Sequence, residues 1–333
     1  MSKKIKDTDY LYITSYIRAR ESSLLTSERI NRMLDSKSVE DAVKVLEECG
    51  YGVMTNLSSV GLEKKFSDRR DSIMRDISSS SPSKDIVGTF RAKYDYHNAK
   101  VLIKSEAADS DGKTLLSGAG RIHPEVLADA YVRDDLKMLP SLLAEAMREA
   151  KDVLARTDDP RLADFVLDKA YYSEFSRLAA ESGSEFLVKY GKLTIDSANL
   201  RTAVRSARMD KDTSFLRTVL TDGGNIGLER ILSVFSSNAP LASLYMGTPL
   251  YSAALAGDEA IAGGRLTRFE KLCDNALTSY LSSAKLSGFS ERVLIAYICA
   301  IETEISTARI IMTGLMAGLS SETIRERLRD SYV

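Results

Sequence analysis

Apolar residues recur along this chain at intervals of three and four, which predicts amphipathic α-helices. After Ser38 they stand at positions 39, 42, 43, 46 and 49, the spacing of one face of a helix. Ser38 is a suitable N-cap for that helix and Gly50 a suitable end. No stretch shows sustained alternation of apolar and polar residues with a period of two. The pattern therefore predicts an all-α protein.

The same pattern places further helices and the breaks between them. Residues 8–35 are rich in helix formers and lack glycine and proline, residues 62–77 form a charged amphipathic stretch, and residues 85–107 are predicted to form one long helix. Between the last two, the polar run 78–83 predicts a loop. Asp159 followed by Pro160 marks another helix start.

Three short segments, each on a predicted helix, share one polar pattern. Each has an acid, two variable residues, Asn or Thr, a small or apolar residue, and then a base. The patterned residues are Asp95, Asn98 and Lys100, then Asp196, Asn199 and Arg201, and finally Glu304, Thr307 and Arg309. The near-equal spacing of the three motifs predicts that one helical unit occurs three times.

Two further landmarks accompany each motif in the same order. A leucine and a phenylalanine precede each motif, and a glycine-led helix start follows it; these are Leu62 and Phe66 with Gly120, Leu162 and Phe165 with Gly224, and Leu266 and Phe269 with Gly318. We therefore expect three similar helical bundles, at residues 8–118, 119–223 and 224–333, arranged with pseudo-threefold symmetry.

The repeated motif has two interpretations. Because residues i and i+3 share one helix face, each unit places a carboxylate beside an amide or hydroxyl. The three sets could be ligands for something on a threefold axis. Alternatively, they hold a neighbouring helix end or an exposed carbonyl inside each unit, since an amide can donate and accept at once. The sequence favours the structural interpretation.

Composition narrows the class of protein further. The chain has 333 residues, with 46 Lys and Arg against 47 Asp and Glu, so it lacks the basic excess typical of nucleic-acid binding. Cys49, Cys273 and Cys299 form no CxxC pair and are predicted to be buried in a reducing compartment. The longest apolar run, Val293–Ile301, falls well short of the roughly 20 residues of a membrane span.

The sequence predicts no catalytic, cofactor or metal site. His97 and His123 are the only histidines; neither has zinc-ligand spacing, and His97 is interpreted as a hydrogen-bonded core residue. Residues 112–114 are the Gly-Lys-Thr of a phosphate-binding loop, but Ala107 stands where that loop begins with glycine. An enzyme with an unrecognised pocket is the weakest alternative.

One stretch resembles a known family. Residues 90–104, and above all Tyr94-Asp-Tyr-His-Asn98, are similar to the signature of the C subunit of archaeal and bacterial A/V-type ATPases, the counterpart of the eukaryotic d subunit. The run from Ala300 through Arg309 to Ile324 resembles the end of that family. The family often has Asn where this chain has Thr307, and a lysine near residues 316–318. The similarity extends over essentially the whole chain.

This resemblance implies a fold and a role. Family members are all-helical and funnel-like, with three similar units, no cofactor and no catalytic site. They lie peripherally on the cytoplasmic side of the membrane, between the central-stalk shaft and the membrane ring of ion-carrying subunits. The implied function is rotor coupling in ATP-linked transport, with proton and sodium both open, and with synthesis and hydrolysis both open. A helical-repeat adaptor unrelated to the ATPase is the alternative.

Overall fold

The computed structural model describes residues 5–54 and 57–332, and this part of the chain is helical without any β-strand. Helices account for 74 % of the structure. The predicted all-α class is therefore confirmed. The pseudo-threefold arrangement and the division at residues 8–118, 119–223 and 224–333 stay predictions.

Sixteen α-helices follow one another within the described residues. They are α1 Leu11–Glu21, α2 Ser27–Leu34, α3 Val39–Leu46, α4 Ser59–Ser80, α5 Lys84–Ala107, α6 Pro124–Val132, α7 Ser141–Thr157, α8 Pro160–Glu181, α9 Glu185–Arg208, α10 Thr213–Val219, α11 Leu228–Ser236, α12 Ala242–Tyr245, α13 Tyr251–Ile261, α14 Leu266–Ser282, α15 Glu291–Met316 and α16 Ser321–Arg327. Short 3₁₀ helices cover Asp7–Tyr10, Lys113–Leu115 and Ser283–Leu286, and a π-helical turn covers Glu47–Tyr51.

Side-chain caps explain where several helices begin. The Ser38 hydroxyl accepts the backbone N–H of Asp41 at 3.1 Å, and the Asp159 carboxylate accepts that of Arg161 at 2.9 Å. Each cap satisfies a backbone donor that the first turn leaves without a helical partner. Both predicted starts are thus confirmed. Gly50 adopts a left-handed φ of 84° in the π-helical turn that follows α3.

Two predicted boundaries differ from the structure. The stretch 8–35 is not one helix, because α1 ends at Glu21 and α2 begins at Ser27, with Leu24 and Leu25 buried in between. The predicted loop 78–83 is shorter than expected, because α4 continues through Ser80. The break begins at Ser81 because Pro82 disfavours helical backbone at the residue that precedes it.

The chain divides into two compact units. The first contains the described residues up to Pro82, residues 203–210 and the described residues from Ser233 onward. The second contains residues 83–202 and 211–232.

In the second unit, α8 packs against both α5 and α7. Tyr96, Leu143, Met147 and Leu167 are buried together in its core. The Lys100 ammonium lies 2.5 Å from the Asp168 carboxylate and joins α5 to α8 at the edge of this core.

In the first unit, α15 is the central helix and packs against α1, α4 and α14. The apolar run Val293–Ile301 is entirely buried within this packing. None of the helices in the described ranges is long and apolar enough to span a membrane. Cys49, Cys273 and Cys299 are buried and not in disulfides, as predicted for the folded chain.

Candidate functional site

The asparagines of the first two motifs hold the loop that follows their own helix. Asn98 on α5 donates from Nδ2 to the Ser117 carbonyl at 2.9 Å, and the Ser117 N–H donates to Asn98 Oδ1 at 2.8 Å. Asn199 on α9 makes the same pair of bonds with Thr221, at 2.7 and 2.9 Å. All four residues are buried. Each amide therefore takes the place of a backbone partner, because it hydrogen-bonds both the N–H and the carbonyl of one loop residue.

The motif aspartates bind the same loops farther along. One oxygen of Asp95 accepts the Ile122 N–H at 3.1 Å, and one oxygen of Asp196 accepts the Ile226 N–H at 3.1 Å. Ile122 stands two residues before α6, and Ile226 stands two residues before α11. The acid of each motif thus fastens the entry to the next helix.

The glycine that follows each of these motifs is required by close packing. A Cβ added at Gly120 would lie 2.5 Å from Asp95 Oδ1, and one added at Gly224 would lie 2.2 Å from Asp196 Oδ1. Any side chain there would push the loop away from the carboxylate. Glycine is therefore needed at both positions so that the loop can approach the aspartate closely.

The third motif is completed by the beginning of the chain. Glu304 on α15 accepts the Leu25 N–H at 2.7 Å and the Tyr51 hydroxyl at 2.9 Å. Leu25 stands two residues before α2, the place that Ile122 and Ile226 hold before their helices. Gly318, in contrast, leads into α16 and supplies no bond to Glu304.

The buried carboxylates differ in how their charge is compensated. Burial raises the pKa of Asp95, Asp196 and Glu304 above the ordinary carboxyl value, because removal from water disfavours the charged form. Asp95 has an ionic partner, since Arg121 Nε lies 2.6 Å from its second oxygen. The second oxygen of Asp196 accepts the neutral Asn225 amide at 2.8 Å.

Arg121 also links the first motif to a second buried acid. Its Nη1 lies 2.8 Å from Glu174 on α8, and the Tyr96 hydroxyl donates to the other oxygen of Glu174 at 2.8 Å. Two buried carboxylates thus share one guanidinium. Arg177 also lies 3.6 Å from Glu174, so removal of Arg121 would chiefly deprive Asp95 of its ionic partner.

The bases of the first and third motifs pair with an acid on another helix. Lys100 binds Asp168 on α8, as noted above, and Arg309 binds both oxygens of Glu63 on α4 at 2.6 and 2.9 Å. The Arg309 guanidinium also lies 5.4 Å from the centre of the Phe66 ring. Arg201 is partly buried; burial raises the pKa of nearby Tyr172 to about 12, and the charge of Arg201 opposes that rise.

The motif residues were visible in the sequence, but their partners were not. Ser117, Thr221, Leu25 and Tyr51 were missed because nothing in the local pattern marks them. The interpretation of His97 as a core residue is wrong: it is exposed, with Nε2 3.2 Å from the Leu115 carbonyl.

A surface cavity of about 580 Å³ lies between α2 and α3. Its charged side chains bind one another, with Arg32 2.9 Å from Glu48 and Lys44 2.9 Å from Asp41. These partners lower the pKa of Asp41 and Glu48, as expected of ordinary exposed ion pairs. Across residues 5–54 and 57–332, no group of three or more His, Cys, Asp or Glu is placed to hold a metal ion.

The fold and the motif contacts define a helical scaffold in which buried polar side chains fasten loops to long helices. Residues 13–327 match the family model of the ATP synthase (C/AC39) subunit. The chain therefore belongs to this family, and the sequence-based resemblance is confirmed.

The sequences of several named proteins align with this chain over most of their length. The C subunit of the V-type sodium ATPase of Enterococcus hirae is 25 % identical, and the match covers 97 % of this chain and 99 % of the relative. The C subunit of the A-type ATP synthase of Thermococcus kodakarensis is 23 % identical, over 96 % of this chain and 90 % of the relative. The same subunit from Pyrococcus horikoshii is 25 % identical, over 96 % and 90 %. The chain is thus similar over nearly its whole length to the C subunits of a V-type ATPase and of A-type ATP synthases.

Proposed function

We propose that this chain is the non-catalytic rotor subunit that couples the central-stalk shaft of an A/V-type ATPase to its membrane ring of ion-carrying subunits. It would lie peripherally, on the cytoplasmic side. One observation carries the proposal: the match covers 97 % of this chain and 99 % of a relative named as an ATPase C subunit. The match thus covers nearly all of this chain and nearly all of that subunit.

The internal construction supports a mechanical role. A coupler transmits torque, so it must resist deformation. Helices α5 and α9 each have 24 residues and α15 has 26, and close-packed interiors of this kind have low compressibility. The buried motif adds direct bonds between these helices and the loops that follow or face them, which restrains the helix ends where bundles otherwise fray.

The motif also supports a non-catalytic role. The carboxylate oxygens of Asp95, Asp196 and Glu304 accept hydrogen bonds from the chain itself. These acids have raised pKa values, as catalytic acids often do, but here burial inside the fold is the cause. A part that binds two partners and stays rigid needs no reacting group.

A bridging assay tests the proposal. Detergent-solubilised membrane ring is immobilised, and shaft subunits are added with and without this chain. We expect capture of the shaft only when the chain is present, and no ATP turnover by the chain alone. Two controls omit the ring or replace the chain with an unrelated helical protein.

Equal capture of the shaft without the chain would contradict the coupling role. Failure of the chain to bind either partner, together with recovery from cells only with unrelated proteins, would favour the helical adaptor instead.

A further inference from the structure

One carboxylate holds both ends of a helical hairpin near the beginning of the chain. Glu304 on α15 accepts the Leu25 N–H at 2.7 Å, just before α2, and the Tyr51 hydroxyl at 2.9 Å, in the π-helical turn that follows α3. We call residues 25–51 the N-terminal hairpin. Between the two bonds the chain forms α2 and α3 and returns to the same side chain. Both ends of the hairpin are thus attached to a single residue of α15.

The N-terminal hairpin has its own internal contacts. Helix α2 packs against α3, Met33 on α2 and Leu46 on α3 are fully buried, and Arg32 binds both oxygens of Glu48 at 2.9 Å across the hairpin. Toward the rest of the first unit, α3 packs against α15 and α2 packs against α16. The two helices can therefore leave α15 together, without losing the contacts between them.

Non-helical residues join the hairpin to the rest of the chain at each end. Residues 22–26 separate α1 from α2. At the other end, Gly50 and Gly52 lie on either side of Tyr51 with left-handed φ values of 84° and 71°. Glycine has access to more backbone conformations than any other residue, and hinges are a few loop residues that absorb large changes of φ and ψ. The ends of the hairpin thus have the construction of a hinge.

Two buried charges at the base of the hairpin are poorly compensated. Arg69 on α4 is 8 % exposed; its Nη1 donates to the Gly50 carbonyl at 3.4 Å, but its Nε and Nη2 have no hydrogen-bond partner among the described residues. The Arg69 guanidinium lies 5.4 Å from the centre of the Tyr51 ring, while the Tyr51 hydroxyl and the Leu25 N–H that bind Glu304 are neutral. Since buried groups without full partners are costly, the closed arrangement is less stable than a fully satisfied one.

From this geometry we propose that the N-terminal hairpin is a movable flap, which swings away from α15 as one body when Leu25 and Tyr51 leave Glu304. Opening lets water reach Arg69 and Glu304, which offsets part of the apolar contact that is lost. It also uncovers the face of α15 that α3 covers, while the remaining helices stay packed. Proteins open locally in such cooperative units, so an otherwise rigid chain contains one part that moves.

The reactivity of Cys49 tests the flap. Cys49 lies in the turn after α3 and is fully buried, and burial raises the pKa of its thiol to about 11. Only an ionised and accessible thiol reacts readily, so alkylation requires opening. Cys273 on α14 is also fully buried but lies outside the hairpin. Folded wild-type protein is treated with iodoacetamide, and peptide mass spectrometry follows both residues. We expect Cys49 to react at least about tenfold faster than Cys273.

Two matched variants test the role of the Glu304 contact. Tyr51→Phe removes the bond to Glu304 and keeps the ring beside Arg69. Tyr96→Phe removes an equivalent buried bond in the second unit, where the Tyr96 hydroxyl donates to Glu174 at 2.8 Å. We expect Tyr51→Phe to speed the reaction of Cys49 about fivefold or more, because Glu304 loses a partner in the closed state. Tyr96→Phe should leave that rate within about twofold of wild type.

Hydrogen exchange of the same samples shows how much of the chain moves, and we expect α2 and α3 to exchange together and faster than α15. Three outcomes would overturn the proposal. The first is equal reactivity of Cys49 and Cys273 in wild type. The second is equal acceleration of both cysteines by Tyr51→Phe, which would mean that only global unfolding exposes them. The third is a reactive Cys49 with α2 and α3 as protected as α15, which would mean that the turn alone frays.

Discussion

Replacing Asn199 with leucine removes the side chain that holds the loop after α9. Asn199 is 2 % exposed, and its amide makes two bonds to the backbone of Thr221, at 2.7 and 2.9 Å. Leucine has nearly the same size and shape, so the change removes polar partners with little change of volume. Two buried backbone groups of Thr221 then have no partner from this side chain.

The magnitude follows from those two groups. An orphaned buried donor or acceptor costs about 1–3 kcal/mol. Since the loop can relax somewhat, we expect the free energy of unfolding to fall by about 2–4 kcal/mol. Asn31→Leu is the control, because Asn31 is exposed on α2 and its amide oxygen accepts only a surface bond from Arg325. That variant should change stability by about 0.5 kcal/mol or less.

Urea denaturation followed by far-ultraviolet circular dichroism measures both variants, with Asn98→Leu as the equivalent change in the first motif. The free energies come from linear extrapolation. If Asn199→Leu is as stable as Asn31→Leu, the amide contacts do not stabilise the fold, and the structural interpretation of the motif is wrong.

Two further changes examine the acids of the motif. Gly224→Ala should lower the melting temperature, since its Cβ would lie 2.2 Å from Asp196 Oδ1. The control is Gly88→Ala on α5, whose Cβ would meet no neighbouring group within 4 Å, and this change should be neutral or stabilising. Equal melting temperatures of the two variants would contradict the steric role of Gly224. Burial raises the pKa of Glu304 above its ordinary 4.5, so the folded state binds this proton more tightly than the unfolded state does. The free energy of unfolding of the wild type therefore falls as pH rises from 4.5 through the raised pKa. Relative to wild type, Glu304→Gln should therefore gain stability as pH rises through this range, and parallel stability curves would refute this.

The sequence predicted features set by neighbouring residues, such as helix starts, and missed contacts between residues far apart in the chain. The starts at Ser38 and Asp159 could be read because a capping residue lies within three positions of its partner. The pairing of Glu304 with Leu25 spans 279 residues, and no periodicity marks it. The break between α1 and α2 was missed for the same reason, since it exists where Leu25 turns inward to meet α15.

His97 shows a different limit. It lies on α5 among buried neighbours, because Tyr94, Asp95, Asn98 and Ala99 all face the core. A helix so broadly buried leaves only a narrow exposed edge, and composition alone does not tell which residue occupies it. The glycines before α6 and α11 were recognised as landmarks, but their reason, contact with a carboxylate, required the structure.

Ion transport in membrane vesicles tests the coupling role most directly. Inverted vesicles that contain the ATPase without this chain should hydrolyse ATP with little ion uptake, and addition of the purified chain should restore uptake for each ATP consumed. ATP-driven uptake that is equally efficient before and after addition would contradict the account.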